Sequence, residues 1–198
     1  MSVKIATAQY DISFLEDWQA YQQKIERWVA QAAGQDAKIL VFPEYFSMEL
    51  ASLFGQEVYS SLSKQLAAMQ SLHDNFTKLF KNLAEKHQCI IQSGTFPVST
   101  DTGIYRNRAY LFMPDGHFDY QDKLMMTRFE NEQWLIKGGN ELKCFDTEYG
   151  KMAINICYDC EFPLLARQQV EAGCVLILVP SCTDTVAGLN SDKIGCQA

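Results

Sequence analysis

The order of apolar and polar positions along the chain predicts an alternation of strands and helices. Val3–Tyr10 reads as a strand. Asp17–Ala33 places Trp18, Tyr21, Ile25, Trp28, Val29 and Ala32 three and four residues apart, the spacing of one helical face, and Gly34 stops it. Lys38–Phe42 is a short continuous apolar run of the kind buried on both faces, ended by Pro43. Leu62–His87 reads as helical with a break near His73–Asn75. Cys89–Gly94 and Arg108–Phe112 read as strands, the second closed by the turn Pro114-Asp115-Gly116. Leu142–Asp146 and Met152–Cys157 form a predicted hairpin around Glu148-Tyr149-Gly150. Phe162–Ala172 is a predicted helix stopped by Gly173, and Val175–Val179 one more buried strand. Strands flanked by helices and also joined by a hairpin imply a layered α/β domain with a mixed sheet.

No repeat, low-complexity tract or linker interrupts this pattern, so the reading is one continuous domain over 1–198. Its end is unusual. After Pro180-Ser181-Cys182 comes a polar loop, and Asp192–Ala198 stops at what reads as the start of a helix, leaving a sheet edge to be covered. The expectation is a C-terminally truncated domain.

Composition narrows the function classes. A net charge of −7 opposes a phosphate backbone or an anionic membrane as the principal partner, because both select for excess Lys and Arg. The opening residues lack the basic and apolar regions of a signal peptide, and Cys174–Pro180, the longest apolar run, is far too short to span a bilayer. Seven irregularly spaced cysteines in a chain of this size suit a reducing cytoplasmic compartment.

Three residues carry candidate chemistry. Glu44 stands where the buried strand 38–42 leaves the sheet, between Phe42 and Tyr45-Phe46, a setting that desolvates a carboxylate and raises its pKa toward proton-shuttling use. Cys157 ends a strand and opens the segment leading into a helix. Such a turn exposes a nucleophile and offers the following N–H groups to an oxyanion. Lys123 lies between an acidic aromatic stretch and Leu124-Met125-Met126, and its case depends on its partners. His73, His87 and His117 fall in polar helices or a turn, so the base for Cys157 is expected to be a carboxylate or an amine. The bland alternatives are a surface acid, a structural thiol and a solvated lysine. Cys157-Tyr158-Asp159-Cys160 also permits a thiol–disulfide oxidoreductase, whereas a single C-x-x-C makes a poor zinc site.

Taken together, Phe42-Pro43-Glu44-Tyr45, Asp122-Lys123-Leu124 and Asn155-Ile156-Cys157-Tyr158-Asp159 with Phe162-Pro163 resemble the three signature regions of the nitrilase superfamily of carbon–nitrogen hydrolases. Ala6-Thr7-Ala8-Gln9, Tyr105-Arg106-Asn107 and Val179-Pro180-Ser181 add to the resemblance, which spans essentially the whole chain. It implies a four-layer αββα sandwich with Glu44, Lys123 and Cys157 as catalytic residues. It also implies a second glutamate between Lys and Cys, for which Glu132 in Glu132-Gln133-Trp134 is the first choice and Glu130 the alternative. The implied activity is hydrolysis of a small amide, nitrile or N-carbamoyl compound through a cysteine thioester, with no metal or other cofactor. The backbone N–H of Tyr158 would help hold the oxyanion. Substrate contacts are expected within 45–59, 129–134, 158–162 and 182–189, with Tyr45, Trp134, Tyr158 and Cys182 as candidates. Leu164–Ala172 would pair with a second copy in a homodimer or higher oligomer. Members of the family continue beyond the point matching Ile194–Ala198, so a truncated member acting as a binding or assembly module is a second reading.

Overall fold

The computed structural model describes residues 2–134 and 136–183; the reading of 184–198 as a polar loop and a nascent helix lies outside the described residues. The first sheet has strand order β1-β2-β3-β4-β5, with β1 (Ile5–Thr7), β2 (Ile39–Val41), β3 (Ile90–Ser99), β4 (Tyr105–Phe112) and β5 (Phe118–Asp122). β1, β2 and β3 run parallel, whereas β4 and β5 are added as antiparallel neighbours. Parallel pairing needs crossover helices. They are α1 (Trp18–Ala33) between β1 and β2, and between β2 and β3 the series α2 (Gln56–Tyr59), α3 (Leu62–Met69) and α4 (His73–His87). Asp17 caps α1 by accepting from the Ala20 N–H, satisfying an end donor that the helix itself cannot. The predicted break in the long helix falls at a 3₁₀ turn, Gln70–Leu72, just before His73.

The second sheet has order β6-β7-β8: β6 (Cys144–Thr147) and β7 (Gly150–Ile154) form the predicted hairpin, and β8 (Leu176–Leu178) joins β7 in parallel. The crossover from β7 to β8 is α5 (Pro163–Glu171). The mixed strand directions are therefore distributed over two sheets.

Alternation explains the layering. In β2, Leu40 and the following Phe42 join Tyr21, Ile25 and Val29 of α1 and Phe76 and Phe80 of α4. Ile39 and Val41 point the other way, to Phe145, Met152, Ile154 and Leu178 of the second sheet. The strand is buried on both faces, hence its unbroken apolar sequence. In the second sheet Ile154 and Ile156 enter the intersheet core, while Asn155 between them accepts a 2.7 Å hydrogen bond from Gln169 of α5, placing that helix on the outer face. The layers are thus α, β, β, α, a mixed α/β sandwich.

The helix-side core is aromatic. Phe80 lies 5.4 Å from Phe42, 4.8 Å from Phe76 and 5.9 Å from Phe112 between ring centroids, and rings of this size dominate core energetics. This cluster sits directly beneath the end of β2 that leads to Glu44. Among the described residues no helix is long and apolar enough to cross a membrane.

Candidate active site

Three chain segments leave the sheets at one end and converge. After β2 the chain turns at Pro43 and enters a 3₁₀ turn at Phe46–Leu53, with Tyr45 in the left-handed conformation at φ 55°. The turn fits because β3 bulges between Gln92 and Thr95, where Gly94 has φ 60°. A Cβ on Gly94 would overlap the Pro43 carbonyl oxygen and the Phe46 ring, so glycine is required for this approach. Thr95 then accepts the Tyr45 N–H through Oγ1 at 2.8 Å and takes the Ser47 hydroxyl on its carbonyl at 2.7 Å.

The second segment follows β5. The Lys123 N–H donates to the Asn107 carbonyl of β4 at 2.9 Å, and the Lys123 carbonyl accepts from Gly139 at 2.7 Å. A Cβ on Gly138 would stand 2.5 Å from the Leu124 carbonyl oxygen, so this glycine allows the strand of chain behind the lysine to close in. The third segment follows β7. Cys157 has φ 48°, again left-handed, its N–H donates to the Pro180 carbonyl at 2.9 Å, and a 3₁₀ turn, Cys157–Glu161, leads into α5.

At the centre is a buried ammonium between two carboxylates. Lys123 Nζ donates to Glu44 Oε1 at 2.8 Å and to Glu130 Oε1 and Oε2 at 3.0 and 2.8 Å. Lys123 is 1% exposed, Glu130 2%, Glu44 4% and Cys157 7%. Asn107 Nδ2 bridges the two acids, at 2.8 Å from Glu44 Oε1 and 3.1 Å from Glu130 Oε1. Glu130 also accepts from Tyr45 Oη at 2.7 Å and from the Thr127 N–H and hydroxyl at 2.9 and 2.8 Å. The Cys157 thiol acts on the Glu44 carboxyl, pulling its pKa down, and its Sγ lies 3.9 Å from the Cys182 carbonyl oxygen.

The electrostatics divide the two carboxylates. Burial pushes the Glu44 carboxyl up to about 6, against the opposing pull of Lys123 and with reinforcement from Glu130. Glu130 is also desolvated, yet Lys123 and the donors from Tyr45 and Thr127 hold it below the ordinary carboxylate range. Desolvation pulls Lys123 down, but Glu44 and Glu130 more than compensate and its pKa is raised. The arrangement is a permanent ammonium, a permanent carboxylate, and a second carboxylate poised to take and give a proton beside a thiol.

The structure brings together Glu44, Lys123, Cys157 and Tyr45 among the residues expected from sequence. Trp134 lines the same region: its ring meets Tyr45 edge-on with centroids 4.6 Å apart. Tyr158 follows Cys157 and its ring packs edge-on against Phe162 at 5.1 Å. Cys182 reaches the site by its carbonyl, and its side chain belongs to an exposed residue. Glu132 is not in the cluster. Its carboxylate is half exposed and pairs with Arg128 at 2.9 Å, one helical turn away, and Glu130 occupies the inner position. The reason is local: residues 130–134 form a single π-helical turn, which directs 130 inward and 132 outward. Sequence reasoning assigned neither Asn107, noted only as part of a matching stretch, nor Thr127 a place in the site. Asn107 stands between Arg106 and Arg108 in the polar half of β4, so its full burial had no signal in the pattern beyond its place in the Tyr105-Arg106-Asn107 stretch.

Comparison with known proteins places this geometry in context. The family model described as carbon-nitrogen hydrolase matches residues 4–191. The probable hydrolase YhcX of Bacillus subtilis is 36% identical over 94% of this chain, which spans 36% of that protein. The omega-amidase NIT2 of Danio rerio is 28% identical over 81% of this chain and 57% of its own length. Among solved structures, Nit3 of Saccharomyces cerevisiae, a member of branch 10 of the nitrilase superfamily, superposes with a TM-score of 0.75 at 25% identity, covering 94% of this chain and 67% of that one.

Proposed function

The chain belongs to the carbon–nitrogen hydrolase family, and from that premise we propose that its site hydrolyses the C–N bond of a small amide through a thioester on Cys157. The observation that carries this reading is the Lys123 ammonium held within 3.0 Å of both Glu44 and Glu130, with the buried Cys157 thiol close enough to act on the Glu44 carboxyl.

The chemistry follows from those contacts. Glu44 takes the thiol proton, and Cys157 sulfur attacks the amide carbon. The carbonyl oxygen becomes an oxyanion, which Lys123 Nζ and the Tyr158 N–H stabilise; one such donor is worth about 3–4 kcal/mol in the transition state. Glu44 returns its proton to the departing nitrogen, leaving a thioester and free ammonia or amine. It then accepts a proton from the water that attacks the thioester, and the acid and the thiol are released. Glu130 keeps Lys123 charged and fixed, a role supported by its depressed pKa and its four other donors, Tyr45 Oη, Asn107 Nδ2 and the two groups of Thr127. Tyr45 and Trp134 form an aromatic wall beside the acids, suited to the apolar part of a substrate. The omega-amidases among its relatives favour amides over nitriles as the first compounds to try. A thiol–disulfide role for Cys157 and Cys160 leaves the buried Glu44–Lys123–Glu130 cluster without a purpose.

Self-association through α5 belongs to the same proposal: Leu164 and Val170 are 70% and 61% exposed on that helix. Ammonia release from a panel of amides, nitriles and N-carbamoyl compounds, with intact-mass detection of an acyl group on Cys157, tests the function. A chain that forms no acyl-thioester and releases no ammonia from any of them would favour the binding-module reading.

A further inference from the structure

Asp159 is buried, 1% exposed, and neither of its carboxylate oxygens bonds to a substrate-facing side chain. Instead, the carboxylate collects backbone N–H groups from one distant segment, at positions 34 and 35 residues away, and from its own turn. Oδ1 accepts from Leu124 at 3.1 Å and Met125 at 2.7 Å, and Oδ2 accepts from Ile156 at 3.0 Å. Leu124 is the residue after Lys123, and Ile156 is the residue before Cys157. The Asp159 N–H closes its own turn onto the Ile156 carbonyl at 3.0 Å.

We propose that Asp159 is a positioning residue that locks the segment carrying Lys123 to the turn carrying Cys157, fixing the ammonium and the thiol in register for the hydrolysis proposed above. Its geometry supports this over a role in folding alone. Lys123 follows β5 of the first sheet and Cys157 follows β7 of the second, and their side chains meet at the same Glu44 carboxyl only if the two loops keep a fixed offset. No strand pairing joins β5 to β7 among the described residues, so the carboxylate substitutes for a ladder at this junction. Charge-assisted bonds of this kind are the stronger class, and a carboxylate offers one acceptor oxygen to each side of the junction. The desolvation that raises Asp159 to about 6, opposed by these same N–H donors, fits an acid retained for its acceptors. Misplacement of a reacting group by about 1 Å costs on the order of a hundredfold in rate, so the lock has a kinetic consequence.

The test is Asp159→Asn in the full chain, read by the alkylation rate of each cysteine with iodoacetamide, by the unfolding midpoint, and by amide hydrogen exchange. The asparagine oxygen can still serve Met125 and Leu124, but its NH₂ faces the Ile156 N–H, donor against donor. In the unmodified protein Cys157 alkylates about tenfold or more faster than the other thiols; if it does not, the catalytic reading itself fails and the lock falls with it. In the variant, Cys157 slows by about tenfold or more relative to wild type while the other thiols and a cooperative unfolding transition are kept. Exchange at Ile156, Leu124 and Met125 accelerates together. A Cys157 rate within about twofold of wild type, or unchanged exchange across the junction, overturns the lock and leaves the hydrolytic reading intact. If the variant does not fold, exchange in the wild-type chain decides. A common protection for the three amides supports one opening event, and a spread beyond about tenfold overturns it.

Discussion

Replacing Lys123 by Met removes the positive charge that Glu44 and Glu130 share while keeping most of the side-chain volume. The wild-type cluster holds two carboxylates within 3.0 Å of one ammonium, all three residues at most 4% exposed. Deleting one partner of a buried ion pair costs about 3–5 kcal/mol, because the remaining charge stays desolvated. Here two acids are stranded together, so the upper part of that range is expected at pH 7.5. The loss is pH-dependent. Without Lys123 the folded-state pKa values of the pair rise above the unfolded value near 4.3, so stability is present at low pH and is lost as pH climbs through the raised values. Each proton taken up contributes about 1.4 kcal/mol per pH unit. Urea unfolding of K123M from pH 4.5 to pH 8 measures the slope. The double variant K123M/E130Q removes the second charge and should be more stable than K123M alone, by about 1–3 kcal/mol. If the double variant were the sum of its parts, or if the wild-type and K123M curves ran parallel with pH, the electrostatic account of this cluster would be wrong.

Three further outcomes follow. The kcat/KM profile of amide hydrolysis falls on the acid side with a midpoint near 6, as protonation of Glu44 removes the acceptor for the thiol proton; a flat profile from pH 5 to 8 refutes Glu44 as base. Glu130→Gln lowers kcat by about 10²-fold or more, whereas Glu132→Gln, at an exposed surface pair worth about 0–1 kcal/mol, changes neither rate nor unfolding midpoint; equal effects from the two would return Glu132 to the site. Gly94→Ala forces a Cβ into the Pro43–Phe46 turn and should cost about 2 kcal/mol or more of stability together with activity, measured by urea unfolding and ammonia release.

Much of the layout was legible where burial writes itself into composition. The apolar run before Pro43 could only be a strand covered on both faces, and the hairpin at Glu148-Tyr149-Gly150 followed from turn chemistry. β5 escaped because Phe118–Asp122 is edge-like and half polar, with Asp122 neutralised across the ladder by Arg108 at 2.7 Å. The assignment of Glu132 erred because an aromatic neighbour in sequence says nothing about which way a π-turn faces its side chains. Asp159 lay hidden for a different reason. Its partners are backbone amides, which every residue possesses, so no side-chain pattern announces the link.

The left-handed backbone at Tyr45 and Cys157 constrains how this chain can change. A residue with a Cβ pays about 1–2 kcal/mol there, a cost that glycine would remove at either position. Relief at 157 would delete the sulfur, and relief at 45 would delete the phenol that holds Glu130. A search for heat-resistant variants should therefore keep returning inactive ones at these two positions, and durability has to be sought in the aromatic layer beneath β2 instead.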